Sequence, residues 1–239
     1  MAELLSPARV PVWYFRWETA PRLDVTLLSA DERDRYAAFR FDRDRDSYLL
    51  AHTLLRRVLS HHEDVPETSW LFECNSYGKP FIVSPSSCLH FSLTHTASMV
   101  ACAISLHSEI GVDAERIDRT VEFMPLARRY FASAEAATLE CTPPLLLPER
   151  FFTLWTLKEA YIKARGMGLS LPLDEFEVHP QDSGAATIVF LRPEGADASD
   201  WHLQTFPLGP HMISAAVRAP SPPEFVLRDG ASLLYTLAS

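Results

Sequence analysis

Three short stretches of this sequence carry side chains that could do chemistry together. In Gly111-Val-Asp-Ala-Glu115 the residues alternate as on a β-strand, so Asp113 and Glu115 project to one face and set two carboxylates side by side. Adjacent carboxylates repel unless a cation lies between them, and hard oxygen ligands suit Mg²⁺. An acidic pair on an edge strand, facing water, is the plainer alternative. Glu159 and Lys163 stand four residues apart in an apolar-rich stretch. They read either as an ordinary helix ion pair worth about 0.3–0.5 kcal/mol or as an enclosed carboxylate that needs a specific partner. A cation shared with Asp113 and Glu115 would be such a partner. Lys79, in the turn after Gly78, and Thr94-His95, after a short apolar strand, add an ammonium, a hydroxyl and an imidazole. Beside a three-carboxylate metal site these would suit a diphosphate, although each taken singly is an ordinary turn or surface group.

Positioning such groups takes a mixed α+β frame. Ser29-Ala-Asp-Glu32 has the form of a capping box and predicts a helix to about Phe39. Residues 42–60 place Leu49, Leu50, Leu54, Leu55, Val58 and Leu59 at helical spacing, with an arginine-rich outer face. Strand-like segments follow at 70–74, 80–83, 89–93 and 99–105, the first two joined by the turn Asn75-Ser-Tyr-Gly78. Pro143, Pro144 and Pro148 break the chain before a helix predicted over 149–165, which Gly166-Met-Gly168 stops. Leu154, Leu157, Tyr161 and Ala164 form one apolar stripe of that helix, and Phe152, Trp155 and Ile162 cover another, so it reads as largely buried.

The second half of the chain repeats the rhythm of the first. Met99–Ile104 resembles Met212–Val217, 113 positions on, and the helical stretch 48–57 resembles 152–161, 104 positions on. The expectation is two similar halves, 1–106 and 107–239, each a helix plus an antiparallel sheet, related by a pseudo-two-fold axis and joined near Leu106–Gly111. Two unrelated strands that share Met and small apolar residues are the alternative.

Composition narrows the function classes. The chain has 239 residues, 47% of them apolar and 22% charged, which suits a folded globular protein with a sizeable core. A formal net charge of −9 argues against a general nucleic-acid binder, and Asp31–Asp46 interleaves six acids among five arginines, which cancels any basic stripe. The longest unbroken apolar run, Met99–Ile104, is six residues, against about 20 for a membrane span. The first residues lack the basic-then-apolar pattern of a secretory leader. Four cysteines without a C-x-x-C pair read as reduced thiols, and the expectation is a cytoplasmic protein. Only three of the 22 basic residues are lysine, namely Lys79, Lys158 and Lys163. In a chain this biased toward arginine, lysine at those positions suggests that a compact ammonium is wanted there, with chance as the alternative.

Taken in order, Tyr77-Gly-Lys-Pro80, Phe91-Ser-Leu-Thr-His95, Gly111-Val-Asp-Ala-Glu115 and Phe152-Thr-Leu-Trp-Thr-Leu-Lys-Glu-Ala-Tyr-Ile-Lys163, followed by Gly166-Met-Gly-Leu-Ser-Leu-Pro172, resemble the motifs of the 4'-phosphopantetheinyl transferases of the surfactin-synthetase-activating type. The resemblance implies Mg²⁺-dependent transfer of the phosphopantetheine arm of coenzyme A to a serine of an apo acyl or peptidyl carrier protein, with release of 3',5'-ADP. It implies that Asp113, Glu115 and Glu159 hold the metal and that Lys163 contacts phosphate at the reacting centre. Lys79, Thr94 and His95 would lie on the phosphates and adenosine end of coenzyme A, with Asp113 beside the diphosphate and Arg43 reaching the 3'-phosphate. Glu159, directly or through a metal-held water, would take the serine proton.

The family often has Asn and Ser where Ser92 and Thr94 stand here; a threonine hydroxyl still donates and accepts. A non-catalytic regulator that binds coenzyme A and a metal-dependent phosphohydrolase are the other readings. Retention of three carboxylates and Lys163 weighs against the first, since binding alone needs no base. Arg128-Arg129-Tyr130-Phe131, before the predicted helix cap Ser133, is a candidate docking patch for an acidic carrier, with a solvated helix face as the alternative. A monomer, with no membrane or nucleic-acid partner, is expected.

Overall fold

The two apolar-periodic stretches fold as long helices, and each covers one face of a sheet. The structure is a computed structural model that describes residues 5–106, 108–192 and 200–235. After strand β1 (Arg9–Arg16) comes α1 (Ala30–Ala38), opened by the expected capping box: Ser29 Oγ accepts from Glu32 N at 3.3 Å and Glu32 Oε2 accepts from Ser29 N at 2.7 Å. Helix α2 (Asp42–His62) buries Leu50, Leu54, Leu55, Val58 and Leu59 against strands β4 (Leu89–His95) and β5 (Met99–Leu106). Between them β2 (Leu71–Cys74) and β3 (Pro80–Ser84) form a separate hairpin.

The second sheet begins at β6 (Ile110–Arg116) and is followed by α3 (Phe123–Tyr130), α4 (Ser133–Glu140) and α5 (Leu147–Arg165). Strands β7 (Phe176–Pro180), β8 (Ala185–Phe190), β9 (Trp201–Leu208) and β10 (His211–Arg218) complete an antiparallel sheet of order β6-β10-β9-β8-β7. Strand β11 (Glu224–Asp229) then returns to the first sheet, whose order is β11-β1-β5-β4, and pairs with β1 in parallel; the short α6 (Ala231–Leu234) packs beside α2. His107, inside the expected join, lies outside the described residues.

The two sheets meet through small side chains. Val10, Val12, Met99, Ala101 and Ala103 face Ile110, Val112, Ala114, Ile213, Ala215 and Val217 in one buried layer. Alternation then sends Val100, Cys102 and Ile104 toward α2, and Met212 and Ala216 toward α5. The resemblance of β5 to β10 at a spacing of 113 is therefore out of phase, because Met99 faces the other sheet whereas Met212 faces its own helix. Two further expectations shift. Ser133 is the first residue of α4 and not its cap; Ala132 holds the cap position, and Glu135 accepts from Ala132 N at 3.0 Å. Helix α5 starts at Leu147, since Pro148 fits its first turn, where no backbone donor is needed.

Candidate active site

Helix α5 lies directly on the backbone of β6. A Cβ at Gly111 would stand 1.9 Å from the Ala160 carbonyl oxygen and 2.4 Å from Ala164 N, so only glycine permits this contact. Val112 and Ala114 point into the inter-sheet layer, which leaves Asp113 and Glu115 on the face of β6 turned toward α5. On the other side β4 is stitched to β6, with Val112 N donating to Ser92 Oγ at 3.0 Å. Three elements thus deliver their side chains to one place.

There, Lys163 Nζ donates to Asp113 Oδ1 at 2.6 Å and to Thr94 Oγ1 at 3.0 Å, and the Thr94 hydroxyl donates to the same Oδ1 at 3.2 Å. Asp113 is 6% exposed, and its Oδ2 is buried without a hydrogen-bond partner. Burial lifts the Glu159 carboxyl to about 7, with the negative charge of Asp113 adding, Lys163 opposing and Glu115 adding further. Glu115 is also raised, first by burial; it pairs with Arg119, which pulls it back, while Asp113 pushes it up. The mutual repulsion places the three carboxylates in one electrostatic cluster.

Among the described residues no three acidic, His or Cys side chains already surround a single ion position. Lys163 and Arg119 occupy two of the carboxylates instead. The donor set nonetheless fits a divalent ion. A buried carboxylate oxygen without a donor, beside a carboxyl that burial holds half-protonated near neutral pH, is what a cation relieves, and all-oxygen ligands suit Mg²⁺.

The other anticipated groups fall in different places. His95 ends β4 with its residue surface exposed, yet the protein around its ring holds its pKa below the ordinary histidine value, and Lys163 lowers it further. Arg43 Nε donates to the Ala97 carbonyl at 3.2 Å and lines a cleft with Arg16, Ser98, Arg116 and His211. Lys79 points to backbone: its Nζ donates to the Ala164 carbonyl at 2.7 Å and the Ile110 carbonyl at 3.0 Å, and burial lowers its pKa to about 8. Arg128 is exposed and paired with Glu140, Arg129 is exposed and lies over the half-buried Tyr130 ring, and Phe131 is buried.

Sequence reasoning missed Arg119 as the partner of Glu115, the Ser92 stitch, and the buried pair Lys158–Glu135, in which Nζ and Oε2 are 2.7 Å apart. Gly111 at the head of an alternating strand was an available sign of close backbone approach.

Comparison with known proteins is consistent along the chain. A family model described as the 4'-phosphopantetheinyl transferase superfamily matches residues 109–216, and one described as 4'-phosphopantetheinyl transferase, N-terminal, matches residues 16–107. The 4'-phosphopantetheinyl transferase Sfp of Bacillus subtilis is 30% identical over 164 residues, covering 69% of this chain and 71% of that protein. A 4'-phosphopantetheinyl transferase of Bacillus pumilus is 30% identical over 201 residues, covering 84% and 83%. Another from Aneurinibacillus migulanus is 35% identical over 153 residues, covering 63% and 62%.

Proposed function

The chain belongs to the 4'-phosphopantetheinyl transferase superfamily and moves the phosphopantetheine arm of coenzyme A to carrier proteins, and from that premise we propose how its residues divide the work. Asp113, Glu115 and Glu159 would hold Mg²⁺, and the observation that carries this is the buried, unpartnered Asp113 Oδ2 within the three-carboxylate cluster. Bound there, Mg²⁺ would counter negative charge on the diphosphate oxygens.

Transfer requires the carrier serine oxygen to attack the phosphorus that bears the pantetheine, while the other phosphate leaves as part of 3',5'-ADP. Lys163 presents its ammonium at Asp113 and can turn it to a phosphate oxygen as charge develops. Glu159, half-buried beside Asp113 and Lys163, would be the acceptor of the serine proton. The Thr94 hydroxyl orients Lys163 and Asp113 together, and His95 sits at the rim beside Lys163, where coenzyme A phosphates would enter. Arg43 is the more distant contact, for the 3'-phosphate, since its carbonyl partner Ala97 lies two residues beyond His95. Arg128 and Arg129 offer exposed cations to an acidic carrier.

The chain divides for this purpose into 1–106 and 107–239, with β11 reaching back to the first sheet. We take it to act as a cytoplasmic monomer; among the described residues no helix is long and apolar enough to cross a membrane.

The test is the intact mass of apo carrier proteins after incubation with the protein, coenzyme A and Mg²⁺, with an EDTA control. A gain of one phosphopantetheine arm that EDTA abolishes is expected. Equal gain in EDTA would refute the metal assignment, and no gain on any carrier would refute the division of roles.

A further inference from the structure

The turn between β2 and β3 comes from the N-terminal part of the chain, yet its polar atoms end on the last turn of α5. Lys79 Nζ bonds the Ala164 carbonyl at 2.7 Å, and Asn75 Nδ2 bonds the Gly166 carbonyl at 2.8 Å. Asn75 Oδ1 meanwhile accepts from the backbone N–H of Tyr77 and of Lys79, each at 2.9 Å, which holds the turn in shape. The last carbonyls of a helix have no donor within it, so this turn caps α5 from outside and sets an ammonium at the negative end of the helix dipole. Packing leaves no slack. Gly166 has φ +63°, and a Cβ there would stand 2.7 Å from Lys79 Cδ.

The second bond of Lys79 gives the cap its consequence. Its Nζ also donates to the Ile110 carbonyl at 3.0 Å. Ala164 follows Lys163 directly, and Ile110 lies three residues before Asp113. One ammonium therefore ties together the backbones of the two elements whose side chains form the Lys163–Asp113 pair.

Resting on the transferase reading, we propose that Lys79, with Asn75, is a positioning residue: it fixes the end of α5 against β6 so that Lys163 meets Asp113, and its ammonium is occupied by carbonyls and not by coenzyme A. A lysine suits this role because a compact ammonium can serve two carbonyls that converge on one nitrogen from different elements. The inference joins the turn Asn75–Lys79 to the end of α5 at Ala164–Gly166, two segments that are distant in the chain.

The experiment compares Lys79→Met and Asn75→Ala with the wild type in the full chain. A misplacement near 1 Å at a reacting group lowers rate on the order of 100-fold, so kcat for transfer should fall roughly 10- to 100-fold in Lys79→Met and by a smaller factor in Asn75→Ala. The Kd of coenzyme A by calorimetry should stay within about twofold in both, and amide exchange at residues 162–166 should accelerate. Asn75→Ala keeps the ammonium and carries the test if Lys79→Met does not fold. A tenfold weaker Kd for coenzyme A in Lys79→Met, with Asn75→Ala silent, would mean that the ammonium touches the substrate and would overturn the proposal. So would a lower melting temperature with kcat retained, or exchange at 162–166 unchanged in both variants. If the wild type modifies no carrier, the transferase roles fail separately, and the exchange measurement still decides whether the turn caps α5.

Discussion

Glu159 gives the sharpest test of the site, because its environment makes an unusual statement about stability. The carboxyl rises from 4.5 to about 7, chiefly through burial and then through the charge of Asp113, with Lys163 opposing and Glu115 adding. An acid whose folded pKa lies above its unfolded value holds its proton in the native state while the unfolded chain has lost it. Stability from this group is therefore intact below about pH 4.5, falls as pH rises toward 7, and stays low above it. Each pKa unit is worth about 1.4 kcal/mol, so the ceiling is roughly 3 kcal/mol, and solvent that reaches the half-buried side chain reduces it to ~2 kcal/mol. Glu159→Gln removes the charge and keeps the shape. In EDTA near pH 8 the variant should be more stable than the wild type by about 2 kcal/mol, a melting temperature higher by roughly 4–8 °C for a chain of this size. The gap should close as pH approaches about 4.5. Urea or thermal unfolding across that range reads it directly. Parallel curves, or a variant less stable than the wild type at pH 8, would refute the claim that Glu159 is a buried, repelled carboxylate. Adding Mg²⁺ at pH 8 should raise the wild-type midpoint and leave the variant's nearly unmoved.

Asp113→Asn removes the anion that holds Lys163 and should lower transfer by about 100-fold or more, read by carrier mass, while Mg²⁺ loses its effect on the melting curve. Gly111→Ala drives a methyl into the Ala160 and Ala164 backbone, which cannot step aside, and should cost about 3 kcal/mol in urea unfolding. Lys158→Met leaves Glu135 buried without its ion partner and should cost about 3–5 kcal/mol, part of which Lys158→Met with Glu135→Leu recovers. A single variant no less stable than the double one would show that the pair is not coupled.

What could be read from the sequence was what short-range periodicity controls. Residues 42–60 and 149–165 hold an apolar stripe over several turns, and both are helices with those faces buried. Asp113 with Glu115, and Glu159 with Lys163, keep fixed spacing along one strand and one helix, so their shared faces follow once each element forms. Long side chains escape this logic. Nothing local tells that Lys79 ends on a carbonyl 85 residues away, or that Arg119 folds back on Glu115. The resemblance of β5 to β10 is one residue out of phase for the opposite reason: runs of small apolar residues look alike in either phase, and only packing decides which set faces the helix.

The scarcity of lysine turns out to have been the most local clue to a non-local arrangement. All three ammonium groups lie on or against α5, and each serves two or three acceptors that converge from different elements. Lys163 bonds Asp113 and Thr94, Lys79 bonds Ala164 and Ile110, and Lys158 bonds Glu135 and the carbonyls of Leu173 and Phe176. A small tetrahedral cation can close a pocket whose acceptors converge on one nitrogen, whereas the broader guanidinium needs its acceptors spread apart, as Arg56 has them at Leu27, Trp70 and Glu32. Helix α5 needs three such closures: at its outer end to the strand that carries Asp113, on its buried face to the loop that leads into β7, and in the site itself. Replacement of any one by arginine should therefore be poorly tolerated even though charge is conserved, and the three sites should differ in what is lost. At Lys158 the loss is folding, at Lys79 alignment, and at Lys163 the chemistry itself.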